Sequence, residues 1–231
     1  MADPHDKVFL ITGASTGIGA ATARVAAEAG YRVVLAARSQ DKLEELAADL
    51  GGDDRALAVP TDVTEWDEQE RLVRTAVERF GGLDVVFANA GFGAKRGFLE
   101  ETPEFWRSMV LTNVLGIAYT IRAALPALKE RRGHFVLTSS VAGRRALEGS
   151  LYSATKFAVT SMGEALRQDV DGTGIRVTLI EPGQVDTPFF DNPGEGRLEA
   201  ADVARAVMFA VAQPPHVDVN EMLIRPTAQS G

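Results

Sequence analysis

The 231-residue chain predicts an α/β fold: a doubly wound parallel sheet of about seven strands, with helices on both faces. Three observations predict it. Short apolar runs alternate with longer helix-type segments over most of the length. A glycine-rich turn joins the first apolar run to the first helix. No composition break, charge block or Pro/Ser-rich linker divides the chain, so residues 1–231 read as a single domain.

Residues 7–12, Lys-Val-Phe-Leu-Ile-Thr, are a short apolar run suited to a buried strand. Residues 17–29 are Ala-rich and close at Gly30, which marks the first helix and its C-terminal cap. A strand over 32–37 follows, then a helix over 40–50 behind Ser39. A strand over 55–60 leads to a helix over 66–80, with Thr64 and Asp67 as its start signal. A strand over 83–88 leads to the longest helix, 103–130, entered through Thr102 and Pro103. Strands over 134–138, 176–181 and 221–224 complete the sheet, separated by helices over 152–170 and 201–212. Each strand–helix–strand passage implies a right-handed crossover.

A ligand of such a sheet lies at the carboxyl ends of its strands. The turn 12–19, Asn89, the pair Ser139 and Ser140, and the pair Pro182 and Gly183 all fall there, and Tyr152 opens the next helix. These positions converge on one site. In the turn, Thr-Gly-Ala-Ser-Thr-Gly-Ile-Gly, Gly13 permits the tight bend. Gly17 and Gly19 let backbone approach a pyrophosphate and let the helix pack close. The free N–H groups and positive dipole end of that helix favour phosphate.

Tyr152 and Lys156 are four residues apart and so share one helix face. An ammonium beside a phenol is expected to lower the tyrosine pKa from its usual value near 10. A tyrosine tuned in this way exchanges a proton with an alcohol or carbonyl oxygen near neutral pH.

Composition narrows the alternatives. Net charge is −8 with no basic stripe, which disfavours nucleic acid and anionic membrane as partners. No apolar run is expected to approach the roughly 20 residues of a bilayer span. Zero cysteines exclude disulfides and thiolate metal sites and suit a reducing cytoplasm. His5, His134 and His216 are scattered, so no metal site is expected.

The spacing Gly-x-x-x-Gly-x-Gly, with Tyr-x-x-x-Lys later in the chain, resembles the short-chain dehydrogenase/reductase family. Asp62-Val63, Asn89-Ala90-Gly91, Asn113, Ser139-Ser140 and Pro182-Gly183 match it in order, from residue 12 to about 188. The ending 220–227 is similar to a subgroup of NADP-dependent 3-hydroxy-acid and small-aldehyde reductases. The resemblance implies a Rossmann-type fold and a catalytic set of Asn113, Ser140, Tyr152 and Lys156. Tyr152 is the proton donor and acceptor in that scheme, and Lys156 also holds the nicotinamide ribose. Asn113 bends its helix and anchors water to Lys156. For the active serine two cues disagree: Ser139 lies thirteen residues before Tyr152, whereas Ser140 begins Ser-Val-Ala-Gly. Ser140 is preferred, because a loop loses a residue more easily than an active-site turn shifts register.

The implied cofactor contacts are Gly13, Ser15, Thr16, Gly17, Ile18 and Gly19, then Asp62 and Val63 at the adenine edge. Asn89, Ala90 and Gly91 lie beside the adenosine, and Pro182, Gly183, Val185 and Thr187 beside the nicotinamide. Arg38 and Ser39 point to NADP(H), because an NAD enzyme normally has Asp or Glu near position 37, which here is Ala37. A guanidinium and a hydroxyl suit a 2′-phosphate. The expected activity is hydride exchange between a small alcohol and its carbonyl, without metal. Epimerisation, dehydration or nucleotide sensing on the same scaffold are the alternatives. The substrate is expected to be a small molecule, such as a 3-hydroxy acid gripped through Lys95, Arg96, Arg144 or Arg145. Phe92, Phe98 and Phe189 serve an apolar ketone in the alternative, and Phe189, Phe190 and Leu198 belong to a short lid. Apolar residues on more than one face of 103–130 and 152–170, with the resemblance, predict a homo-oligomer, most simply a tetramer.

Overall fold

The structure is a computed structural model and describes residues 7–187 and 196–229. His5, Phe189 and Phe190 lie outside the described residues. In chain order the elements begin with β1 Val8–Thr12, α1 Gly17–Glu28, β2 Arg32–Ala37, α2 Gln40–Asp49, β3 Ala56–Pro60, α3 Trp66–Phe80 and β4 Val85–Ala88. They continue with α4 Pro103–Val110, α5 Ile117–Arg131, β5 His134–Thr138, α6 Leu151–Asp169 and β6 Arg176–Pro182. The last are β7 Val185–Asp186, β8 Leu198–Glu199, α7 Ala200–Val211 and β9 Glu221–Ile224.

Seven strands form one sheet in the order β3-β2-β1-β4-β5-β6-β9. Every pairing in it is parallel. Successive strands are added outward on one side of β1, and from β4 onward on the other. That reversal between β1 and β4 opens the crevice where such sheets bind ligands. Helices cover both faces, so the strands are apolar throughout rather than alternating. Phe9, Ile11, Leu35 and Phe87 pack on one face with Ala23, Ala26, Val203 and Val207 of α1 and α7. Val8, Leu10, Val34, Val86 and Phe135 pack on the other with Leu72, Leu128 and Leu166 of α3, α5 and α6.

The structure differs from the sequence reading in four places. The expected helix 103–130 is not uniform: Leu111–Gly116 forms a π-helical turn between α4 and α5. Asn113 in that turn is fully buried and bonds the backbone of Phe92, a contact from outside its own helix. Such bulges commonly mark functional positions. The span Pro103–Arg131 is long and apolar enough by length and composition to cross a membrane, contrary to expectation, yet Ile117, Ala124 and Leu128 are buried within the fold. Thr64 does not cap α3, because its hydroxyl is spent on Asp62, 2.8 Å away, and the N-cap residue is Glu65. Finally, β7 and β8 pair as a small second sheet that local patterning did not announce.

Candidate active site

The carboxyl ends of β1, β2, β4, β5 and β6 open into one cavity of about 800 Å³. Every residue named above as catalytic or cofactor-binding lines it, except Gly19 and Asn113. Those two act from behind the wall. A Cβ at Gly19 would lie 2.2 Å from the carbonyl oxygen of Gly13, so only glycine lets α1 pack against the turn. Gly13 has φ +68° and its face meets Ala90, where a Cβ would lie 2.9 Å from Cα. Asn113 accepts from Phe92 N (3.0 Å) and donates to Phe92 O (2.8 Å) and Thr155 Oγ1 (3.2 Å). None of its hydrogen bonds goes to Lys156.

The glycine wall is held by a closed set of bonds. Asn89 Nδ2 donates to Thr12 O (3.1 Å), and Asn89 N donates to Thr12 Oγ1 (3.0 Å). Thr138 Oγ1 in turn donates to Asn89 Oδ1 (3.0 Å). β1, β4 and β5 are thereby locked at the ends that meet the ligand. The N-terminus of α1 faces this space, and its N-cap Thr16 makes no side-chain capping bond, which leaves first-turn N–H groups open to an anion. Ser39, at the N-cap of α2, likewise makes no capping bond. Arg38 is exposed beside it on the cavity wall and has no ion-pair partner among the described residues. These donors fit a dinucleotide carrying an extra phosphate. Asp62 lines the wall but gives Oδ1 to Thr64 N (2.9 Å) and Thr64 Oγ1 (2.8 Å), so it also organises its own turn.

Tyr152 and Lys156 stand on the first turns of α6, as their spacing requires. The Lys156 ammonium donates to Thr138 O (2.7 Å) and lies 5.6 Å from the Tyr152 ring centroid. Ser140 side-chain oxygen hydrogen-bonds Tyr152. It also accepts from Ala142 N (3.1 Å) and donates to Pro182 O (3.3 Å). Ser139 points the other way: its hydroxyl donates to Lys156 O (3.1 Å) and lies 2.8 Å from Thr160 Oγ1. The hydroxyl beside the phenol is therefore that of Ser140.

The electrostatics correct one expectation. Burial pushes the Tyr152 phenol up to about 12, and the Ser140 hydrogen bond lowers it only in part. Burial also pulls Lys156 down from 10.5 to about 8. For both groups desolvation is the largest cause. The tyrosine ring is partly exposed, yet its hydroxyl end is enclosed enough to stay protonated at neutral pH.

Residues on the rim were only partly foreseen. Arg96 and Arg145 line the cavity and have no ion-pair partner among the described residues, whereas Lys95 is not on its wall and Arg144 is tied to Glu181. Phe92 lines it; Phe98 instead stacks edge-on against Trp106, 5.8 Å between ring centroids. Ala228 and Gln229 also line the cavity and carried no local signal. The available clue was topological: whatever follows β9 in a parallel sheet emerges at the carboxyl edge. Gln184 N donates to Gln229 Oε1 (3.0 Å) and ties this tail to the segment after β6.

Comparison with known proteins agrees with this fold. A family model described as short chain dehydrogenase matches residues 7–197. An uncharacterised oxidoreductase of Staphylococcus aureus (strain MRSA252) is 40% identical over 226 residues, 96% of this chain and 97% of its own. An alcohol dehydrogenase from the archaeon Thermococcus sibiricus, solved with 5-hydroxy-NADP, superposes with TM-score 0.90 at 33% identity, covering 97% of this chain and 98% of that one. The closed form of serine dehydrogenase with NADP+ superposes with TM-score 0.89 at 31% identity, covering 97% and 96%. The matches run over nearly the whole chain, and this chain belongs to the short chain dehydrogenase family of oxidoreductases.

Proposed function

We propose that the protein is an NADP(H)-dependent oxidoreductase that interconverts a small alcohol and its carbonyl, with an anionic group on the substrate. The observation that carries the reading is the meeting of Tyr152, Ser140 and Lys156 with the glycine turn, Arg38 and Ser39 in one cavity. A nicotinamide nucleotide bound there supplies the hydride. The first turn of α1 binds its phosphates, and Arg38 and Ser39 bind a 2′-phosphate. Ser140 orients the substrate oxygen, and Tyr152, protonated at neutral pH, donates the proton to that oxygen during reduction. In the reverse direction Tyr152 accepts it. Lys156, with its pKa near 8, stays largely cationic at pH 7 and favours negative charge developing on the phenol oxygen.

Arg96 and Arg145 support an anionic substrate: two guanidiniums without ion-pair partners among the described residues, lining one cavity in a chain of net charge −8. Serine, the substrate in one solved relative's name, is itself a 3-hydroxy acid. The test follows absorbance of the reduced nicotinamide while 3-hydroxy acids and their methyl esters are screened with each cofactor. Esters equal to the acids refute the anionic substrate, and absence of any cofactor-dependent turnover with alcohols, aldehydes or ketones refutes the redox reading.

The same proposal extends to a homotetramer in the cytoplasm. Phe157 and Val110 (44% and 40% exposed) lie on α6 and α4, and Phe209 and Leu223 (56% and 50%) on α7 and β9. Two separate apolar faces support assembly through two different contacts. Light scattering at micromolar concentration reads the mass directly.

A further inference from the structure

Glu181 sits in β6, one residue before Pro182, with 1% of its surface exposed. A buried carboxylate is costly unless it is paired. Its partner comes from the active-site turn: Arg144 Nε donates to both carboxylate oxygens, at 2.7 and 2.8 Å. The same guanidinium pairs with Glu221 of β9, and Arg167 of α6 lies 3.7 Å from that carboxylate. One side chain therefore joins the turn to β6 and the edge strand, with α6 behind.

Arg144 ends the turn that Ser140 begins. Gly143 N donates to Ser140 O (2.8 Å) and Arg144 N to Val141 O (3.1 Å). Ser140 Oγ donates to Pro182 O, so the turn touches β6 at both ends, through adjacent β6 residues. The result is a closed ring: Glu181 to Pro182 by backbone, Pro182 to Ser140 by its hydroxyl, Ser140 to Arg144 by the turn, and Arg144 back to Glu181. Without the arginine the ring is open, and among the described residues the turn's remaining side-chain bond to β6 is the 3.3 Å one at its first residue.

We infer that Arg144 is a positioning residue, holding the Ser140 hydroxyl in register with the Tyr152 phenol through its clamp on Glu181 and Glu221. The inference rests on the reading of Ser140 as the group that orients the substrate oxygen. Displacement of a catalytic hydroxyl by about 1 Å typically costs roughly 100-fold in rate.

The experiment compares six proteins: the unmodified enzyme, Arg144→Met, Arg144→Lys, Arg144→Met with Glu181→Met, Ser140→Ala, and Ser140→Ala with Arg144→Met. Turnover, NADPH dissociation constant and melting temperature are measured for each. Arg144→Met should lower kcat by roughly 10- to 100-fold and leave NADPH affinity within about twofold. Arg144→Lys should recover part of kcat. Adding Glu181→Met removes the stranded charge and should restore the melting temperature but not kcat. In the Ser140→Ala background, Arg144→Met should cost less than about twofold more, because both act through one hydroxyl. Restored kcat in the Arg144→Met/Glu181→Met protein, or losses that multiply in the Ser140 pair, overturns the inference. Near-normal turnover in Ser140→Ala instead refutes the role of Ser140 itself, and the positioning role falls with it.

Discussion

The two walls of the cavity are built on different principles. The glycine wall is backbone and short side chains, tied by Thr12, Asn89 and Thr138 across three strands. The opposite rim is made of the loops 92–101 and 144–150, with Phe98 62% and Leu99 97% exposed. The rim loops meet through a single backbone bond among those described, Gly97 N to Gly149 O (2.7 Å). On the function proposed above, a wall that presents backbone N–H groups suits what every substrate pairing shares, the cofactor, and a rim of exposed side chains suits what differs. Chemistry would then be set by the sheet, and choice of substrate by loops.

The largest expected effect separates chemistry from binding. Tyr152→Phe removes the proton donor and keeps the ring, so kcat should fall by about 10³-fold while the NADPH dissociation constant changes by less than about threefold. Near-normal turnover would break the comparison, because a wall group would then be dispensable.

Next comes stability against pH. The Lys156 pKa is depressed, so the folded state tolerates the charged ammonium less well than the unfolded chain does. The full cost of burying the charge is present below pH 8, amounts to about 3 kcal/mol, and disappears as pH rises from 8 to 10.5. Tyr152 acts in the opposite sense. Its raised phenol pKa adds stability that is complete below pH 10 and lost as pH rises through about 12. Between pH 8 and 10 the lysine dominates. Lys156→Met should therefore be the more stable protein at pH 7, with its advantage over the unmodified chain shrinking towards pH 10. Denaturant midpoints at unit pH steps measure this, and an advantage constant with pH would show that the ammonium is not desolvated.

Cofactor choice should shift without touching the rim. Ala37→Asp with Arg38→Ala is expected to move the NADP-to-NAD ratio of kcat/KM by roughly 100-fold towards NAD, a loss of charged hydrogen bonds worth about 3 kcal/mol. Substrate preference should stay the same. The smallest effect belongs to the rim itself: Arg145→Ala should raise KM for a 3-hydroxy acid by about tenfold and leave the methyl ester unaffected. A change in NADPH affinity from that variant would mean that the two walls are not separable.

How much of this was legible in the sequence follows the same division. Local signals, an apolar strand followed by glycines and an Ala-rich helix, with the alternation of strands and helices, sufficed for a doubly wound parallel sheet and for the carboxyl-edge site. Nineteen-residue α6 was legible to within one residue, at Leu151–Asp169. What escaped depends on contacts distant in sequence. The resemblance implied a bend at Asn113, but not its partner Phe92, 21 residues away. The phenol of Tyr152 is raised rather than lowered because burial is a property of the folded whole. Gln229 reaches the cavity only because β9 pairs beside β6. Arg144 looked like a loose cation for a substrate until Glu181, 37 positions on, claimed it.

The bond between Asn113 and Phe92 also has a practical consequence. It pins the rim loop at its entry, while Thr102 Oγ1, accepting from Phe105 N (3.2 Å), pins it at its exit. The tie from Gly97 to the facing loop uses backbone alone. Residues 93–101 are therefore a cassette with both ends clipped to the frame. Exchanging the stretch for one from another member of the family, with the glycine at 97 retained, is a graft that leaves the machinery beneath it in place.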